Sequence, residues 1–286
     1  MVLESLLNPF ALKRRPWEMF FAGFFNSLVA VLLSNVVFKE GASLLLVFLI
    51  VLSLLPMLYV TIKNEEELDL DLSYQGEWSL LKEHSKVLLF LLFLFFGTTL
   101  GLTACYVFLP EATVQTTFAL QEQAIISVNS NLQASLTGGI TRLDFLNRIF
   151  MNNIKVLFFC LVFSLLYGTG ALFILTWNSS VIAAAFGSIV RNNVSEAINL
   201  TGATTLSVYF SSVTHGFFRY MTHGILEIAA YFVAGLAGGI ISVALIKHNF
   251  QEDRVLIDVL DMVLISLGIL FVAAVVEVFI TPALFA

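Results

Sequence analysis

The chain has 286 residues, 59% of them hydrophobic and 12% charged, with 28 Phe, whereas a soluble domain is about 45–50% apolar and about 25% charged. A net charge of −6 with scattered Lys and Arg excludes a basic stripe that tracks phosphates, and with it nucleic acid as a partner. The expected fold class is all-α, a polytopic transmembrane helical bundle.

In chain order, residues 6–20 are amphipathic and carry Lys13, Arg14 and Arg15. No small-residue cleavage site follows, so this stretch reads as an uncleaved signal anchor. A crossing takes about 20 apolar residues. Residues 20–37 and 44–62 supply a first pair, joined around 39–41. The acidic stretch 63–86 reads as a solvated loop. The third span, 87–108, holds Gly97 and Gly101 at a GxxxG spacing that admits a close neighbouring helix. Cys105 lies in this span and Cys160 in a later one; both read as small hydrophobes with no disulfide framework.

Between residues 110 and 153 the chain is expected to leave the membrane. Residues 111–136 are rich in Gln, Thr and Asn and lack Lys and Arg, Gly138 and Gly139 follow, and Thr141 with Asp144 caps a short amphipathic helix over 142–152. A loop of that length is functional or disordered. It is the expected surface for an envelope protein partner; alternatively its helix lies on the membrane surface, with lipid as its partner.

A fourth span is expected over 154–177. Residues 179–190 are apolar but too few to cross, which predicts a re-entrant or half-crossing helix, and 206–218 form a second short stretch. The fifth span, 224–246, carries Ala234, Gly235, Gly238, Gly239 and Ser242, small residues that pack against another helix. A sixth covers 261–280. The organisation expected is a three-span region to residue 109, an extramembrane segment over 110–153, and a membrane core over 154–286: about six spans plus one or two short re-entrant or half-crossing helices. The basic residues place the N-terminus in the cytoplasm. Simple alternation then leaves Lys247 and Arg254 outside, and one further crossing between 178 and 220 would reconcile them.

His223 and Glu227 stand four residues apart at the head of the fifth span and so share a helix face. Ionisable side chains in a membrane span usually face the bundle interior, find partners and mark function. The same face runs back through Arg219 to His215 if the helix is continuous; Gly216 and Gly224 oppose continuity. Three readings follow. The first is a structural pair in a non-enzymatic membrane scaffold. The second is a site for an ion, proton or lipid between broken helices, with Asn178, Arg219 and Glu277 contributing. The third is an intramembrane hydrolase with His215, His223 and Glu227 on zinc. The sequence has no GxSxG, HExxH or P-loop motif, and neither catalytic residues nor a metal or other cofactor is expected under the first reading.

His223-Gly224, then Glu227, Ala230, Gly235 and Gly239, form a pattern that resembles the stage II sporulation protein M family over about residues 147–280. Upstream, Asn152 or Asn153 opens a span with Gly168 and Gly170, and Asn178 ends it ahead of Gly187. Ser179 stands where the family commonly has Gly. The resemblance implies a membrane scaffold that recruits envelope hydrolases without being one, and the first hundred residues resemble the extended archaeal-type members.

Overall fold

The computed structural model describes residues 16–38, 40–56, 77–136, 141–167, 171–246 and 253–285. Among these the regular structure is entirely helical. Ten helices account for it: α1 Glu18–Val37, α2 Ala42–Pro56, α3 Glu77–Phe108, α4 Glu111–Thr117, α5 Ala119–Leu136, α6 Arg142–Tyr167, α7 Ala171–Thr201, α8 Leu206–Ile246, α9 Asp253–Val275 and α10 Thr281–Leu284, the last two joined by a π turn, Val276–Ile280. Six of the helices (α1, α3, α6, α7, α8 and the α9–α10 run) are long and apolar enough to cross a membrane, and α2 is a shorter apolar one. This is the all-α polytopic bundle that the composition predicts.

Lipid offers backbone and side chains no hydrogen bonds, so polar residues inside these helices must be satisfied locally or by a neighbouring helix. Local bonds do much of this. Ser27 donates to Phe24 O at 2.7 Å, Ser34 to Val31 O at 3.0 Å, Thr99 to Phe95 O at 2.8 Å and Thr103 to Thr99 O at 2.8 Å. Such residues leave the helix intact and supply a small, flat face for packing.

That face sets the first tight contact. Gly23, Ser27, Ala30 and Ser34 line the buried side of α1, and Gly97 and Gly101 of α3 lie directly against it. A Cβ at Gly97 would fall on the Phe20 carbonyl, and one at Gly101 on the Ser27 hydroxyl; a Cβ at Gly23 would lie 2.5 Å from Leu94 O. The pairing Phe20 with Gly97 and Phe24 with Gly101 shows that α1 and α3 run parallel. The chain therefore returns to its starting end before α3 begins.

The same reasoning orders the rest. Thr99 meets Ser179 at 2.9 Å, and the Tyr106 ring lies on Gly187, so α7 runs parallel to α3. Asn153 bonds Glu227, and Ser164 donates to Gly235 O at 2.6 Å, so α6 and α8 are parallel to each other. The bundle thus has an upper end, where α1, α3, α7 and α9 finish, and a lower end, where they begin.

Two expectations about short helices are corrected. Residues 179–190 are the middle of the 31-residue α7, and 206–218 are the opening of the 41-residue α8. Asn178 does not end a span: its amide donates to Ile174 O at 3.1 Å, and Ser180 donates to Trp177 O at 2.7 Å, so both are absorbed into the helix. The break falls instead between Tyr167 and Ala171. α7 is itself long and apolar enough to cross a membrane. Gly216 does not interrupt α8 either; it makes room for the Phe186 ring.

The stretch after Pro110 also differs from a free loop. α4 and the start of α5 fold back onto the upper end of the bundle, where Phe118 and Gln121 are fully buried. Thr141 and Asp144 do form the reciprocal cap, with Thr141 Oγ1 donating to Asp144 at 2.7 Å and Asp144 N to Thr141 Oγ1 at 3.3 Å. The helix they start runs on without a break to Tyr167. Of the earlier segments, 1–15 and 57–76 lie outside the described residues.

Candidate functional site

The site sits where α6, α8 and the end of α9 meet. α8 buries Ile228, Ala230 and the run from Tyr231 to Gly239. Gly238 sets how closely α6 approaches, since a Cβ there would lie 2.5 Å from Leu161 O and 2.8 Å from the Ser164 side chain. This approach brings Asn153, near the middle of α6 and 7% exposed, to Glu227, whose Oε1 accepts a hydrogen bond from the Asn153 amide.

From the other side, α9 changes pitch. Its last turn is a π turn, Val276–Ile280, a rare geometry found mostly as single insertions at functional sites. The extra residue lies where Glu277 comes within electrostatic reach of Glu227 on α8. Thr281 follows, donating to Val276 O five residues back at 3.2 Å. Its oxygen also meets His223 Nδ1 at 3.3 Å. With the hydroxyl proton directed to Val276, the ring nitrogen is the donor.

The four-residue ladder therefore exists as geometry but not as a chain of ion pairs. α8 is continuous from His215 to Glu227, yet the four side chains do not pair with one another. Glu227 goes to Asn153 of α6, and His223 to Thr281 at the head of α10. His215 packs its ring edge-on to Phe285, centroids 5.7 Å apart. Arg219 is exposed, and Asn178 is engaged within its own helix. Gly224 is buried, but a Cβ there would meet nothing within 4 Å. The zinc reading loses its ligand set: His215 is eight residues from His223, roughly 12 Å along the axis, and no group of three or more His, Cys, Asp or Glu among the described residues could hold a metal ion.

Sequence reasoning missed Asn153 as the partner of Glu227, and Thr281 altogether. The available signals were a polar pair, Asn152 and Asn153, at the head of an apolar run, and a Glu four residues before Thr281-Pro282 in another.

A second polar cluster closes the upper end. The Arg191 guanidinium bonds the Leu109 carbonyl and the Glu111 carboxylate, donates to Val107 O at 3.4 Å and lies 5.7 Å from the Tyr106 ring centre. It thereby caps the C-terminal carbonyls of α3, where a cation is favoured by the helix dipole. Tyr106 donates to Glu122 at 2.7 Å, Gln121 donates to Ser180 Oγ at 3.1 Å, and Asn35 meets Thr117 at 2.9 Å. Four elements, α1, α3, α7 and the α4–α5 segment, are tied together here.

The family model for stage II sporulation protein M matches residues 86–282. No curated protein matches the chain, and no solved structure does. The match begins at the foot of the membrane portion of α3, so it takes in the α4–α5 segment and the upper clasp as well as the Glu227 site, and reaches further toward the N-terminus than the His223–Gly239 pattern. With a match over more than half of its length, through the helices that build both clusters, the chain belongs to the stage II sporulation protein M family.

Proposed function

We propose that this multi-pass membrane protein is a non-enzymatic scaffold that holds an envelope protein against the upper end of its bundle, through the segment after Pro110. The observation that supports this reading is the clasp: Arg191, Tyr106, Gln121 and Asn35 hold α4 and the start of α5 in one orientation. The opposite side of α5, with Leu120, Gln123 and Ile126, stays exposed. Holding a helix rigidly while leaving one side uncovered presents a preorganised binding surface, which lowers the ordering cost of association.

The interior supports a scaffold over a solute path. Several of its polar groups bond one another across helices, and the half-open cavity beside Leu54, Leu91, Leu172 and Phe232 measures about 20 Å³, room for a single water. In this reading the Glu227 site is a three-helix junction. The upper end faces outward, because the sequence joined to the lower end carries Lys13, Arg14, Arg15, Lys63, Lys82, Lys86, Lys247 and Arg254.

The test is cross-linking in living cells followed by affinity purification. Wild type is compared with a variant carrying Gln123→Ala and Ile126→Ser, which changes the exposed side of α5 and leaves Phe118 and Gln121 in place. One specific envelope partner, lost in the variant while abundance is unchanged, is the expected result. If wild type and variant are both recovered alone and folded, recruitment through α5 is wrong. Cysteines at Ala112 and Glu196 report orientation, and both should react with an impermeant maleimide added outside whole cells.

A further inference from the structure

Arg219 is an anomaly. It lies on α8 inside a stretch apolar enough to span a membrane, it is exposed, and it makes no hydrogen bond or ion pair to another described residue. Its surroundings on the outer surface are apolar, with Phe217 and Phe218 45% and 56% exposed. An arginine facing lipid without a partner is unfavourable unless it snorkels to the interface, where phosphate groups accept its forked donors.

Its depth suits that escape. Gly216 packs on Phe186, the neighbouring Gly187 packs on Tyr106, and Tyr209 stacks with Phe108, the last residue of α3. Arg219 is three residues below Gly216 and ten below Tyr209, roughly 4.5 Å and 15 Å along the axis, so it sits about one turn below the contact of Gly216 with Phe186 and two to three turns below the end of α3, in the upper part of α8. Beside it a groove of about 490 Å³ runs between α8 and the chain end, lined by Phe210, Ser211, Thr214, His215, Phe218 and Phe285. His215 is one turn above Arg219, so the guanidinium stands at the edge of the groove.

We propose that this groove binds one anionic phospholipid of the upper leaflet, with an acyl chain along Phe210, Phe218 and Phe285 and the headgroup phosphate on Arg219. The occupant follows from charge and shape together. The groove has an aromatic wall of Phe210, Phe218 and Phe285 beside Ser211, Thr214 and His215, and Arg219, unpaired among the described residues, stands at its edge, which complements a molecule with an apolar tail and one anionic head. A protein helix would leave the guanidinium buried against it and would need its own carboxylate there.

The full chain, purified in mild detergent, is exchanged into nanodiscs of phosphatidylcholine doped with phosphatidylglycerol, and co-purifying lipid is counted by native mass spectrometry. Wild type should hold one phosphatidylglycerol with a preference of about tenfold or more over phosphatidylcholine, the scale of one charge-assisted contact. Arg219→Gln should lose the preference and Arg219→Lys should keep part of it. Arg142→Gln, which removes an exposed charge at the same end, should leave it unchanged. Phe218→Ala should weaken both lipids. Inorganic phosphate added to the protein in neutral detergent should not raise its melting temperature, whereas phosphatidylglycerol should. Equal retention of both lipids by wild type, an Arg219→Gln variant that keeps the preference, or a cross-linked protein on Phe210 in place of lipid would each overturn the proposal.

Discussion

Replacing Gly238 with Ala tests the close approach of α6 and α8 beside the site. The new methyl would lie 2.5 Å from Leu161 O, 2.8 Å from Ser164 Cβ and 3.2 Å from Leu165 N, two of them well inside ordinary contact distance and two on backbone atoms that cannot rotate away. α6 must retreat by about an ångström. The hydrogen bond from Ser164 to Gly235 O, now 2.6 Å, cannot span that retreat. Overpacking costs about 1–3 kcal/mol and an interhelical hydrogen bond in a membrane protein about 0.6–1.7 kcal/mol, so the loss should be about 2–4 kcal/mol. Unfolding by steric trapping in bicelles measures it directly. Gly268→Ala is the control, since nothing lies within 4 Å of a Cβ there and the helix should gain slightly. The two changes at the contact should not add: Ser164→Ala should cost about 1 kcal/mol in wild type and almost nothing beside Gly238→Ala, because the bond is already broken. A Gly238→Ala protein as stable as the Gly268→Ala control, or additivity with Ser164→Ala, would refute the packing argument.

Asn153→Leu should destabilise the protein by about 1–3 kcal/mol, because it strips the amide donor from Glu227 and leaves a buried acceptor unpaired; replacing both residues together, Asn153→Leu with Glu227→Leu, should recover part of that in the same unfolding assay. Arg191→Gln should free the α4–α5 segment, seen as faster hydrogen exchange over residues 111–127 with little change in α6 and α8. Gly224→Ala should shift stability by less than about 0.5 kcal/mol, as the Cβ has open space and a helix tolerates Ala better; a larger loss would show the space is already filled in the membrane. Cys105 and Cys160 are both buried and should resist maleimide until the protein is denatured.

Much of the bundle was legible in composition and spacing. The apolar runs marked α1, α3, α8 and α9, because length and hydrophobicity are all a crossing requires. Gly97, Gly101 and Gly238 were legible as contact residues for a similar reason: a glycine row inside a lipid-soluble helix has few other uses. The division between α6 and α7 was not. An unbroken apolar run from Ile154 to Trp177 looks like one span, and the polar residues after it look like its end, yet Asn178 and Ser180 hide their polarity in the carbonyls of the preceding turn. The partners of the site residues were not legible either. The i,i+4 spacing of His223 and Glu227 says that they share a face, but which helix each one meets depends on the π turn in α9, where one extra residue re-aims Glu277 and Thr281 and leaves only a faint trace in sequence.

The two glycine-lined contacts bear on how the chain is made. α1 packs on α3 and α6 on α8, each time passing over one intervening helix, so neither contact can close when the second helix of its group emerges from the ribosome. During synthesis α2 and α7 must each be released sideways into lipid, or held by the insertion machinery, until a later helix arrives to lock the earlier one. For α7 the wait is eased by helices already made: Thr99 of α3 meets Ser179 and Gln121 of α5 meets Ser180. Asn178 and Ser180 also bond within their own turns, so the face still open in that interval is the one that α8 will cover, where Phe186 meets Gly216.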